Sequence, residues 1–149
     1  MGRAGPREAG LAVLVVEDDA GVAALLADVL TWGGYAPTTT GSALGALDLT
    51  RRLRPAAVLL DLGLPYRSGS ALLGALKADP ATAAVPVLVV SALAEDLPPA
   101  RRAQAAAVLG KPFSPAALLA AIRAAGGGGA AAAPDAVNGT FGGGGAGAR

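Results

Sequence analysis

Three stretches of the 149-residue chain are short, unbroken and apolar: residues 11–16, 57–60 and 85–90. Runs of this length, rich in Val and Leu, are the pattern of parallel strands covered on both faces. Two further candidates differ in kind. Residues 35–40 carry Pro37 and three threonines, and residues 105–109 are mostly alanine; proline and polarity suit the edges of a sheet. Between the strands the periodicity changes to that of helices. Val22, Leu25, Leu26 and Val29 fall at i, i+3, i+4 and i+7, one buried helical face, and the pattern stops at Gly33-Gly34. Helices are also expected over residues 42–54 and 68–78, with Leu44, Leu47, Leu72, Leu73 and Leu76 turned inward and Asp79-Pro80 ending the second. Pro98-Pro99 can open a fourth helix reaching about Ala106, with Leu97, Ala100, Ala103 and Ala106 inward and Arg101, Arg102 and Gln104 facing a partner or water. Ser114 reads as an N-cap with Pro115 at the first helical position, followed by a stripe of Leu118, Ala121, Ile122 and Ala125.

Five strand-helix pairs imply an α/β fold: a doubly wound parallel sheet with helices on both faces and right-handed crossovers. With strands two and five at the edges, the strand order is 2-1-3-4-5. That order reverses between strands one and three, and ligands bind there at the carboxyl ends of the strands.

Composition narrows the chemistry. The chain has no Cys and no His, which removes disulfides, thiolate zinc sites, cysteine nucleophiles and the usual serine triad. Twelve basic residues against 11 acidic ones leave a net charge of +1, so no basic surplus drives binding to a phosphate backbone, and direct nucleic-acid contact is not expected. No stretch approaches the roughly 18 uncharged apolar residues of a membrane helix. The run following Arg3 and Arg7 is cut at Glu17, too early for a signal peptide. A cytoplasmic protein without membrane contact is the expectation. The 38 Ala and 22 Gly are unevenly spread: 17 of the last 24 residues are one or the other. Residues 1–8 are therefore expected to form a flexible N-terminus, 9–125 one folded domain, and 126–149 a disordered tail.

Two strands that meet at the reversal point end in acids. Val15-Val16 leads into Glu17-Asp18, and Leu59-Leu60 into Asp61. Three carboxylates in one crevice repel unless a cation sits among them, and hard oxygen ligands with room for water suit Mg²⁺. An acid after a strand is often only the start of a solvated loop, but three at one switch point are harder to explain that way. Strand four ends in Ser91 and strand five runs into Lys111-Pro112, adding a hydroxyl and an ammonium. Carboxylate nucleophile, metal, cation and hydroxyl donor are what phosphoryl transfer to a carboxylate requires.

The segments VLVVEDDAGV (13–22), VLLDLGLPYRSG (58–69), VLVVSALAE (87–95) and LGKPFSPAALLAAI (109–122), in this order, resemble those of response-regulator receiver domains of two-component signalling, the CheY-like superfamily. The resemblance implies a flavodoxin-like three-layer sandwich and assigns roles. Asp61 would be the phosphoacceptor. Asp18, Asp61 and the backbone carbonyl of Gly63 would hold Mg²⁺, with Glu17 acting mostly through a metal-bound water. Ser91 would be the switch hydroxyl, and Lys111 would pair with the phosphoryl oxygens from a cis Lys-Pro bond. Pro65 and Gly69 match the family's loop signature, while Asp19 would be solvated. The donor would be a phosphohistidine supplied in trans by a histidine kinase or histidine phosphotransfer protein. Output would pass to a downstream protein effector, because no output domain is expected after Ala125.

The sequence departs from the family's commonest pattern at Val108, where an aromatic switch residue is usual, at Gln104, where Gly is usual, and at Ala105, Ala106 and Ala107. Val108 leaves open a second reading, a phosphorylation-independent interaction module on the same fold. A dehalogenase-type phosphatase would need an acid where Gly63 stands. A nucleotide binder would need a Gly-rich loop where Glu17-Asp18-Asp19 stands.

Overall fold

The structure, a computed structural model, describes residues 10–64 and 68–126. The expected flexible N-terminus at 1–8, Pro65, and the tail from residue 127 lie outside the described residues.

Five strands, β1 (Ala12–Val16), β2 (Ala36–Thr40), β3 (Ala57–Leu60), β4 (Val87–Ser91) and β5 (Ala107–Gly110), form one sheet of order β2-β1-β3-β4-β5. Every pairing is parallel. The helices are α1 (Ala20–Trp32), α2 (Ala43–Leu53), α3 (Gly69–Ala78), α4 (Pro99–Gln104) and α5 (Pro115–Ala124), with a 3₁₀ turn at Ala94–Asp96. This is the doubly wound arrangement the alternation predicts.

Strand side chains alternate between two cores, as a period of two requires. Leu14, Val16, Val58, Leu60, Val87 and Val89 face α2 and α3, which contribute Ala43, Ala46, Leu72, Leu73 and Leu76. Val13, Val15, Leu59, Leu88 and Val90 face α1 and α5, which contribute Leu26, Val29, Leu30, Leu118, Leu119 and Ile122. The three central strands are buried along nearly their whole length, whereas β2 and β5 are only half-buried. Edge position therefore accounts for their weaker apolar signal.

Each of the four longer helices begins on a side-chain cap. Asp19 accepts from the Val22 N–H at 3.0 Å, Ser42 from Gly45 at 3.1 Å, Ser68 from Ala71 at 3.1 Å and Ser114 from Ala117 at 3.0 Å. Caps of this kind satisfy donors that helix geometry leaves without partners, each contributing about 1 kcal/mol. Asp19 is exposed as expected, but it also starts α1.

Some inward positions differ from the sequence pattern. Leu25 is 53% exposed and Leu44 73% exposed. In α1 the stripe that meets the sheet runs through Ala23, Leu26, Val29 and Leu30; the helix is apolar on several faces, so period alone does not choose the stripe. In α2, small or polar residues, Ala43, Ala46 and Thr50, make the approach, and Leu44 is turned out on the first turn. The fourth helix differs most. No residue of α4 is buried; Ala100, Ala103 and Ala106 are exposed, while Arg101 and Gln104 are half-buried. Leu97, just before α4, is buried as expected.

Candidate functional site

The site assembles where two backbone hydrogen bonds carry the sheet past its strand ends. Asp61 N–H donates to the Val16 carbonyl at 3.0 Å, and Glu17 N–H to the Thr40 carbonyl at 2.9 Å. Residues directly after β1 and β3 are thereby held side by side. Glu17, Asp18 and Asp61 each offer a carboxylate oxygen within 4.8 Å of the others. Their environments are unequal: Glu17 is buried, Asp61 half-buried and Asp18 exposed.

Lys111 enters from the end of β5. Its Nζ lies 2.7 Å from Glu17 Oε1 and 3.8 Å from Asp61 Oδ1. The lysine therefore bonds to Glu17 and only approaches Asp61. The other Glu17 oxygen accepts the Asp19 N–H at 3.2 Å. With only 2% of its side chain exposed, Glu17 needs these partners, because a buried charge left unpaired is costly. The Lys111-Pro112 bond is cis, as the resemblance implies. Nothing in the sequence pattern pointed to the Glu17–Lys111 contact, which joins residues 94 positions apart.

Ser91 is the last residue of β4 and fully buried. Its hydroxyl accepts the Leu93 N–H at 3.0 Å and so shapes the chain leaving the strand. Gly63 is exposed beside the acids, at a place where a Cβ would lie 3.7 Å from Asp61 Oδ2 and 3.6 Å from Leu93 Cδ1. Gly69 has a different role. It is buried at the start of α3, donates its N–H to the Leu62 carbonyl at 3.0 Å, and packs directly on the backbone of Asp61 and Leu62. A Cβ there would run into the Asp61 carbonyl oxygen and approach Leu62 Cα to 2.6 Å. The first turn of α3 is thus seated on the segment that carries Asp61. Val108, in the adjacent strand β5, is half-buried against the core on the α2–α3 side.

The donor set fits a divalent cation. Three ionised carboxylates and one ammonium leave a local excess of two negative charges. All the ligand atoms are hard oxygens, and the exposed Asp18 leaves a wet side where a small ion can keep part of its water shell. Glu17, Asp18 and Asp61 can hold a metal, with Glu17 the least available because Lys111 engages it.

Comparison with known proteins agrees with this geometry. The family model described as the response regulator receiver domain matches residues 13–123. The DNA-binding response regulator MtrA of Mycobacterium tuberculosis (strain ATCC 25618 / H37Rv) is 36% identical over 113 residues, covering 74% of this chain and 48% of that protein. The chain thus spans about half the length of the curated relatives it matches first. Among solved structures, a sensor protein from Polaromonas sp. JS666 is 32% identical with a TM-score of 0.73, covering 76% of this chain and 94% of that one. The receiver domain of sensor histidine kinase PA1611 from Pseudomonas aeruginosa PAO1 is 26% identical with a TM-score of 0.68, covering 76% of this chain and 95% of that one. The latter holds a magnesium ion coordinated in its active-site cleft. No helix among the described residues is long and apolar enough to cross a membrane.

Proposed function

The chain belongs to the response regulator receiver domain family of two-component signalling, and on that premise we propose that Asp61 accepts a phosphoryl group from a phosphohistidine of a histidine kinase or histidine phosphotransfer protein. Receiver domains are signalling phosphoacceptors, not enzymes in the ordinary sense. The observation that carries the reading is the convergence of Glu17, Asp18, Asp61 and Lys111 at one edge of the sheet.

A carboxylate oxygen of Asp61 attacks phosphorus in line. The O–P bond forms as the N–P bond to the donor imidazole breaks, and the imidazole leaves with that electron pair. The chain has no His, so the donor is a second protein. Asp18, Asp61 and the carbonyl of Gly63, with Glu17 through a water, would hold Mg²⁺, which would supply neutralisation of the charge on the transferring group. Lys111 is a short swing from Asp61, 3.8 Å at present, and is placed to leave Glu17 for a phosphoryl oxygen. The Ser91 hydroxyl is buried beside the same edge and can exchange the Leu93 N–H for a phosphoryl oxygen. A phosphoryl group adds about −1.5 to −2 charge, which favours both exchanges. Hydrolysis of the acyl phosphate, assisted by the same site, returns the domain to its starting state.

Residues 9–125 are the receiver unit in this reading, and it works in the cytoplasm. Its output passes to a downstream protein effector with no direct contact to nucleic acid or membrane. The test is transfer in trans: a radiolabelled phosphohistidine domain is mixed with the chain and Mg²⁺. Label should move to the wild type and stay on the donor with Asp61→Asn. Equal labelling of both would refute Asp61 as the acceptor.

A further inference from the structure

Helix α4 lacks the usual means of attachment. None of its six residues is buried, and the apolar anchors nearest to it, Leu97 and Ala105, lie just outside its ends. Two arginines reach from it to the body of the domain. Arg101 Nε donates to the Ser70 carbonyl at 3.1 Å, and Arg101 Nη1 to Gln104 Oε1 at 3.2 Å. The guanidinium lies over Gly74 so closely that a Cβ there would sit 2.7 Å from Cζ and from Nη2. Arg102 Nη2 donates to the Ala94 carbonyl at 2.9 Å.

The two acceptors are notable for their neighbours. Ser70 follows Gly69, which is packed on the backbone of Asp61. Ala94 begins the 3₁₀ turn that follows Leu93, whose N–H is held by Ser91. One arm therefore reaches the segment seated on Asp61, the other the segment leaving Ser91. We propose that Arg101 and Arg102 form a two-armed latch seating α4 on the site, and that α4 is released through the Arg102 arm when Ser91 turns toward a phosphoryl group. In that event the Leu93 N–H loses its acceptor, the turn at Ala94–Asp96 loosens and the Ala94 carbonyl shifts away from Arg102. Arg101, bonded to a helix that does not depend on Ser91, remains as the pivot. The release step rests on the phosphoacceptor reading above; the latch itself does not.

Gly74 allows the latch to be tested without touching the site. A methyl group at 74 expels a flexible guanidinium instead of clashing with backbone, so α3 stays folded while the arm is lost. Amide hydrogen exchange of residues 100–106 is followed in the full chain for Gly74→Ala, Arg101→Ala and the double variant, without phosphodonor. A hydrogen bond from a charged donor corresponds to about tenfold in opening, so each single variant should exchange about tenfold faster, and the double no faster than Arg101→Ala. Acceleration by Gly74→Ala of the same size in the Arg101→Ala background, or none in the wild type, would overturn the latch. With acetyl phosphate and Mg²⁺, the wild type should then exchange faster over 94–106, while Arg102→Ala is already fast and does not respond. A full response in Arg102→Ala would overturn the release step. Absence of a phosphoryl adduct by mass would remove the release step together with the phosphoacceptor reading, and leave the latch to be judged by the cycle alone.

Discussion

Gly69→Ala isolates how the segment that carries Asp61 is held. The added Cβ would point at backbone on every side, into the Asp61 carbonyl oxygen, 2.6 Å from Leu62 Cα and 3.0 Å from the Asp61 carbonyl carbon. No side chain can swing aside. Restoring an ordinary carbon–carbon contact of about 3.5 Å requires the start of α3 and the Asp61 segment to part by roughly 1 Å. Overpacking costs about 1–3 kcal/mol, and a backbone obstacle puts this site at the upper end. Replacing Gly by Ala on a helix returns up to about 1 kcal/mol, so the net loss is about 2 kcal/mol. At a urea slope of about 1–3 kcal/mol/M, the unfolding midpoint should fall by about 1 M. A displacement of about 1 Å at a reacting group can cost on the order of a hundredfold in rate, so phosphorylation by acetyl phosphate should slow by a similar factor. Gly110→Ala is the control, since nothing lies within 4 Å of a Cβ there, and its stability should stay within about 0.5 kcal/mol of the wild type. Equal midpoints and rates for the two variants would refute the close approach at Gly69.

Lys111→Met should destabilise the domain in the absence of metal by about 2–4 kcal/mol, because it strands the buried Glu17 carboxylate; adding Glu17→Gln should recover much of that loss, and equal urea midpoints for single and double variants would contradict the pairing. Backbone hydrogen bonding from Ala81, then the hydrogen bond from Arg51, holds the Asp79 carboxyl below its ordinary value of 3.8. The unfolded chain therefore protonates first, so the contribution of Asp79 is complete above pH 3.8 and is lost as pH falls through the lower folded value. The gap in urea midpoint between wild type and Asp79→Asn should accordingly narrow below pH 3.8; a gap that widens there would reverse the assignment. Mg²⁺ at ten times its Kd should stabilise the wild type by about 1.4 kcal/mol, read as a rise in Tm, and Asp18→Asn should abolish the rise; an unchanged rise would show that the ion binds elsewhere.

The apolar runs at 11–16, 57–60 and 85–90 fall on the three central strands, because strands covered on both faces must be apolar throughout. The acids and Lys111 were legible as a group for a related reason: once the strand order is known, strand ends share an edge, where Val16 and Leu60 close their strands as partners and Ser91 and Gly110 close theirs two residues further on. The strand order also conveys what it cannot resolve. It brings Lys111 to the edge but not to Glu17 in preference to Asp61, a choice made by side-chain reach. It gives no reason for Gly69 beyond a loop signature, although the close approach to Asp61 explains why no side chain fits. The two misplaced leucines share a cause. Leu25 and Leu44 sit on helices with apolar groups on more than one face, where periodicity does not select the buried stripe. Arg101 is turned inward because Gly74 opens a slot on α3, a complementarity between helices that no local pattern reveals.

The metal-dependent phosphoacceptor role proposed for Asp61 is read from intact mass after incubation with acetyl phosphate and Mg²⁺. One phosphoryl adduct should form on the wild type, and none with Asp61→Asn or when the ion is chelated. Folded wild-type protein that gains no adduct, or an adduct that persists in Asp61→Asn, would contradict it.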